Sequence, residues 1–122
     1  MAIPSGSGSE VLKTVHYGAV TDMGSGSGKA LITTTTTAID TIVSIIFCNI
    51  HASTDNSISL LWDPTSGDNV YLLTQQICPA KGTYVFNDKI VLPQEAGILY
   101  ATAEANVTSQ SILCTYIHQD WS

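Results

Sequence analysis

Apolar residues along this chain come in short runs that end at turn-forming clusters, and no stretch keeps a helical 3.6-residue period for long. The runs predict strands at "EVLKTVHYG", "KALITTTTT", "DTIVSIIFCNIH", "SISLLWD", "NVYLLTQQI", "TYVFN", "KIVLP", "GILYATAEA" and "SQSILCTYIHQ". The breaks "HASTDNS", "DPTSGDN", "CPAKG", "PQEAG" and "NVTS" carry the residues that turns require. Eight or nine short strands at near-regular spacing predict an all-β chain: one antiparallel β-sandwich or jelly roll, with a small barrel still open. The first ten residues, "MAIPSGSGSE", have no core-forming pattern. They predict a flexible or extended N-terminal arm (1–10) ahead of a sandwich domain (11–122).

Strand alternation assigns faces. In "TIVSIIFCNI", Ile42, Ser44, Ile46, Cys48 and Ile50 are expected on one side and Val43, Ile45, Phe47 and Asn49 on the other. Near the C-terminus, Ile112, Cys114 and Tyr116 oppose Leu113, Thr115 and Ile117. Both strands are apolar on both faces, as expected of central strands or of strands whose outer face meets another subunit, and two of them in so small a core point to burial beyond one protomer.

Composition narrows the function. Hydrophobic residues make up 44% of the 122 positions, enough for a core. Charged residues make up only 11%, and Ser and Thr supply much of the polar surface, as suits strands. The net charge is −6, the four cations are Lys13, Lys29, Lys81 and Lys89, and there is no arginine. Four scattered lysines cannot displace counterions from a phosphate backbone, so nucleic acid is not an expected partner. An anionic membrane surface is disfavoured for the same reason, and no apolar run is long enough to span a bilayer. The N-terminus has neither the basic region nor the apolar stretch of a secretory signal. Three cysteines, Cys48, Cys78 and Cys114, lack CxxC spacing; free thiols made in a reducing cytoplasm are the ordinary reading, with one disulfide left open.

Candidate chemistry is sparse. The run "GSGSGKAL" imitates a phosphate-binding loop, but Gly24 stands one position too near Gly28–Lys29. Ala30 replaces the magnesium-binding hydroxyl, and a strand rather than a helix follows. His16, His51 and His118 fall in separate strands without zinc-ligand spacing, and no serine sits in a G-x-S-x-G elbow. Asp63, Asp68 and Asn69 offer oxygen ligands, yet "DPTSGDN" reads better as a hairpin turn than as a calcium loop. Trp62 and Trp121 are expected as core or interface anchors, and the Asn106 sequon as chance. The chain is therefore expected to be no enzyme and to need no cofactor or metal.

The segments "MAIPSGSGSEVLK", "IVSIIFCNIHAS" and "TYVFNDKIVLPQEAGILYATAEAN" together resemble small virion proteins of tailed bacteriophages, marine and cyanobacterial ones included. The resemblance covers about two thirds of the chain and rests on texture and order rather than on a specific signature. It implies a β-sandwich structural protein of the virion, made in the host bacterial cytoplasm. Its partners would be copies of itself and major capsid or tail proteins. A homo-oligomeric capsid decoration protein is the first expectation; a neck, tail or fibre-attachment component is the alternative. An interface arm would use Ile3, Pro4, Val11 and Leu12. A third possibility is a carbohydrate-binding host-attachment module using Trp62, Tyr71 and nearby acids.

Overall fold

The computed structural model of the protein describes residues 9–20, 28–104 and 110–120. These form β1 (Ser9–Val20), β2 (Lys29–Thr34), β3 (Ala38–Asn49), β4 (Asn56–Pro64), β5 (Val70–Cys78), β6 (Thr83–Phe86), β7 (Ile90–Val91), β8 (Gly97–Ala103) and β9 (Gln110–Asp120). Each of the nine expected strands is present.

Two antiparallel sheets face each other. The first, sheet A, runs β1-β9-β3-β6, with β7 beside β6 on the same flank of β3; the second, sheet B, runs β2-β8-β4-β5. The chain passes back and forth between the sheets, the strand order of a jelly roll. Every ladder is antiparallel.

The inner faces pack Ile42, Ile45, Phe47, Ile58, Leu60, Leu99, Ala101 and Cys114, all fully buried. Ala101 and Ala103 on β8 stand opposite Leu60 and Ile58, so small residues meet large ones across the pair. Trp62 belongs to this core at 3% exposure, with its indole N–H donating to Thr34 Oγ1 at 3.0 Å. Thr34 in turn donates to the Glu95 carbonyl at 2.6 Å. β2 ends at Thr34, so the threonine run leaves the strand before Thr37.

β3 corrects one expectation. Ile42 pairs with Tyr116 and Ser44 with Thr115, leaving Val43 as the extra residue of a β-bulge. The alternation therefore slips: Ile42 joins Ile45, Phe47 and Asn49 on the core side, while Ser44, Ile46 and Cys48 face outward. The bulge also divides the neighbouring edge. β7 pairs with Thr41 and Ile42 before it, and β6 with Ile45 to Cys48 after it. Lys89, between the two short strands, donates to the Val43 carbonyl at 3.1 Å.

Of the glycine run 24–28, Gly28 is the one residue among those described. It sits at φ +90° at the entry to β2, where a Cβ would collide with the Ala101 carbonyl oxygen. The glycine is there for backbone conformation and close approach to β8.

Candidate interaction face

The outer surface of sheet A is built row by row from paired residues, which share a face in antiparallel ladders. One row is Leu12–Ile117–Thr41–Val91, the next Thr14–Thr115–Ser44, the next His16–Leu113–Ile46–Val85. Serine, threonine and Cys48 continue it as Ser111–Cys48–Thr83, and Glu10–Gln119–Ile39 closes the other end. Leu12 is 66% exposed, Val91 52%, Val85 46% and Leu113 42%. Among the described residues of these rows, Glu10 is the only carboxylate, there is no lysine, and the Glu10 carboxylate accepts from Gln119 Nε2 at 2.8 Å. Exposed large apolar side chains therefore stand in two rows of this face, separated by the uncharged row Thr14–Thr115–Ser44, and such a grouping on one nearly uncharged surface suits an interaction site. With strands about 4.8 Å apart and β1, β9 and β3 each spanning roughly 35 Å, the face measures about 700 Å², near the per-partner size of a specific interface.

The outer surface of sheet B is less regular. It carries the row Ala30–Tyr100–Leu61–Tyr71, in which Tyr71 is 55% exposed and Leu61 is buried. Its β4–β5 ladder shifts register twice, and Gln75 adopts φ 48°.

The expected arm residues are only partly placed. Ile3 and Pro4 lie outside the described residues. Val11 and Leu12 sit in β1 opposite His118 and Ile117, and the strand begins at Ser9, two residues before the expected boundary. Val11 points to the inner side at the margin of the core; Leu12 is the most exposed apolar residue of the outer face. Trp121 and the Asn106 sequon also lie outside the described residues.

The remaining candidates separate. Trp62, offered for carbohydrate contact, is in the core. Asp68 and Asn69 are exposed in the β4–β5 turn, with Gly67 at φ +115°, and no group of three His, Cys, Asp or Glu side chains suited to a metal occurs among the described residues. His16 lies exposed on the outer face of sheet A. His51 Nδ1 accepts the Thr54 N–H at 3.0 Å, and Asn49 donates to the Thr54 and Cys78 carbonyls, so these two side chains shape the β3–β4 connection. Asp55 and Glu104 flank a shallow depression of about 170 Å³, where Asp55 already accepts the Ala80 N–H at 2.9 Å.

One pair escaped sequence reasoning. His118 Nδ1 stands 2.6 Å from Asp40 Oδ1, with the Asp40 side chain 1% exposed and its Oδ2 without a partner. The signal was present: Asp40 is an ionisable residue inside the apolar stretch "AIDTIVSII". Its partner, 78 residues away, was not foreseeable. Cys78 and Cys114 are both fully buried, and Cys48 is half-buried on the outer face. Burial pushes the Cys114 thiol up to about 12 and raises Cys78 as well; burial and then the Asp40 charge raise the Tyr116 phenol.

No family model and no curated protein sequence matches the chain. Solved structures do. A chain in the structure of the infectious bursal disease virus Gx strain is similar over 93% of this chain with a TM-score of 0.51 at 11% identity. This chain spans 34%, about a third, of that one. A subunit of the disulfide-linked pili that form Bacillus endospore appendages is similar over 100% of this chain and 96% of its own, at TM-score 0.52 and 6% identity. The xylan-binding CBM22-1 domain of Paenibacillus barcinonensis Xyn10C covers 98% of this chain and 89% of its own, at TM-score 0.47 and 8% identity. At such identities the first two likenesses establish the two-sheet antiparallel fold, a fold that hosts unrelated functions.

Proposed function

We propose that the protein is a non-enzymatic structural subunit of a virus particle, and most specifically a homo-oligomeric decoration protein on the head of a tailed phage. The observation that carries this reading is the outer face of sheet A, where Leu12, Val85, Val91 and Leu113 stand exposed on a surface with hardly any charge. A free protein of net charge −6 stays soluble through its other surfaces, while this one gains by being covered. The occurrence of the same fold in a chain of a virus structure and in a pilus subunit agrees with an assembly role. The N-terminal segment would add contact area by lying along a neighbour.

The test is particle occupancy. Purified virions are quantified by mass spectrometry for the native protein, for a deletion of residues 1–10 and for Val85→Lys. Hundreds of native copies, with strong loss in both variants, support head decoration. A few dozen copies or fewer move the protein to the neck or tail, and unchanged occupancy in Val85→Lys overturns the assembly role of the face.

A second reading, glycan binding for host attachment, is favoured only by the Tyr71–Leu61–Tyr100 row on sheet B. Aromatic rings of this kind can stack on sugars, but Trp62 is not available to join them. A glycan array without hits at high protein concentration removes it.

A further inference from the structure

We infer that β1 is a seam at which two copies of this chain join, each supplying its own β1 as the antiparallel partner of the other. The inference rests on the assembly reading above and names the partner at one border of the same sheet.

The four borders of the sandwich differ in how they treat their unpaired backbone groups. β2 is six residues long and shifts register between Ala30 and Ile32. β5 lies on a ladder broken twice and holds Gln75 at φ 48°. The β6–β7 border is split by the Val43 bulge and carries Lys89 across the gap. Bulges, short strands and lysines are the devices that stop a sheet from pairing further. β1 carries one lysine, Lys13, but is otherwise the most regular border: twelve residues, nine successive pairs with β9 from Ser9 to Tyr17, and an irregularity only beyond Tyr17. Its other flank pairs with no described strand.

The occupant that fits is a second β1. Facing itself, the strand is nearly neutral, with one Glu10 and one Lys13, in a chain whose other surfaces are acidic. A two-fold axis perpendicular to the sheet keeps outer residues beside outer residues, so paired positions must share parity. Centring on Lys13 would oppose two like charges, which is unfavourable. Centring on Thr14 avoids this and keeps nearly the full overlap. It sets Leu12 beside His16 of the second copy on the outer face and Lys13 beside Val15 on the inner. The resulting seam would be about 30 Å long with roughly ten backbone hydrogen bonds, a usual number for a specific interface. It would also merge two outer faces of sheet A into one ten-stranded surface.

The experiment uses the full chain. Native protein, Thr14→Lys, and Thr14→Cys in a Cys48→Ser background are measured by light scattering at about 100 µM, with thermal melting as the fold check. Thr14 is exposed, so all three should fold. The seam requires a native mass of twice 12.9 kDa. It also requires loss of that dimer in Thr14→Lys, and a reducible cross-link in Thr14→Cys, because directly opposed Cα atoms about 5 Å apart suit a disulfide. Thr33→Cys, on the β2 border, should not cross-link. A monomeric native chain, a dimer that survives Thr14→Lys, or a Thr14→Cys dimer that does not cross-link overturns the seam. None of these touches the Val85→Lys occupancy test, so failure of the seam and failure of the assembly reading remain distinguishable.

Discussion

Cys114 supplies the most quantitative test of the folded core. Its thiol is fully buried in β9, paired with Val15 on one side and Ile45 on the other. Burial lifts its pKa from the ordinary 9.0 to about 12, because the thiolate would sit in apolar surroundings. In the unfolded chain the thiol ionises near 9, whereas in the folded chain it stays protonated. The folded state therefore has its full stability below pH 9 and loses it as pH rises from 9 towards 12. At pH 11 the loss from this one group is roughly 3 kcal/mol, from about 1.4 kcal/mol per pKa unit. Urea unfolding followed by tryptophan fluorescence, repeated from pH 7 to 11 on native protein and Cys114→Ala, isolates the contribution. The native curve should fall more steeply, by about 3 kcal/mol over that range, with Cys78 contributing equally to both proteins. Parallel curves would refute the assignment of Cys114 as a buried neutral thiol.

Three further outcomes follow from named contacts. Gly97→Ala places a Cβ 2.8 Å from Trp62 Cε2 and 2.9 Å from the Asp63 carbonyl, so the buried indole or the β4 backbone must shift; a loss of about 2–3 kcal/mol in urea unfolding is expected. His118→Ala leaves the Asp40 carboxylate buried with neither oxygen partnered and should cost about 3–5 kcal/mol at neutral pH, measured the same way. Leu113→Lys changes a half-exposed outer residue and should leave the melting temperature within a few degrees while abolishing association with particles, read by co-sedimentation.

Much of the fold was legible because its signals are local. The strands end where turn residues stand, and "DPTSGDN" made the β4–β5 turn it promised. The alternation of Ile112, Cys114 and Tyr116 against Leu113, Thr115 and Ile117 survives in β9, because the extra residue of the bulge in that stretch, Val43, lies on β3. Val43 shows the limit: "TIVSII" is apolar in either register, and the bulge is decided by what β6, β7 and β9 offer across the sheet. Asp40 shows another, since an acid in an apolar strand announces burial without naming the histidine that meets it. The interaction face was visible only as strands apolar on both sides. Its composition from β1, β9, β3, β6 and β7 required the topology, because its rows join residues from both ends of the chain.

In the proposed role, the outer face of sheet A is covered when the protein is in place on its particle. The direct measurement is the rate of maleimide labelling at Val85→Cys, in a Cys48→Ser background, free and particle-bound, with Thr65→Cys in the exposed β4–β5 turn as the reference. Labelling at position 85 should be slowed at least about tenfold on the particle relative to position 65, with both positions equally reactive in the free protein. Equal rates at position 85 in the two states, with the protein demonstrably bound, would contradict that role.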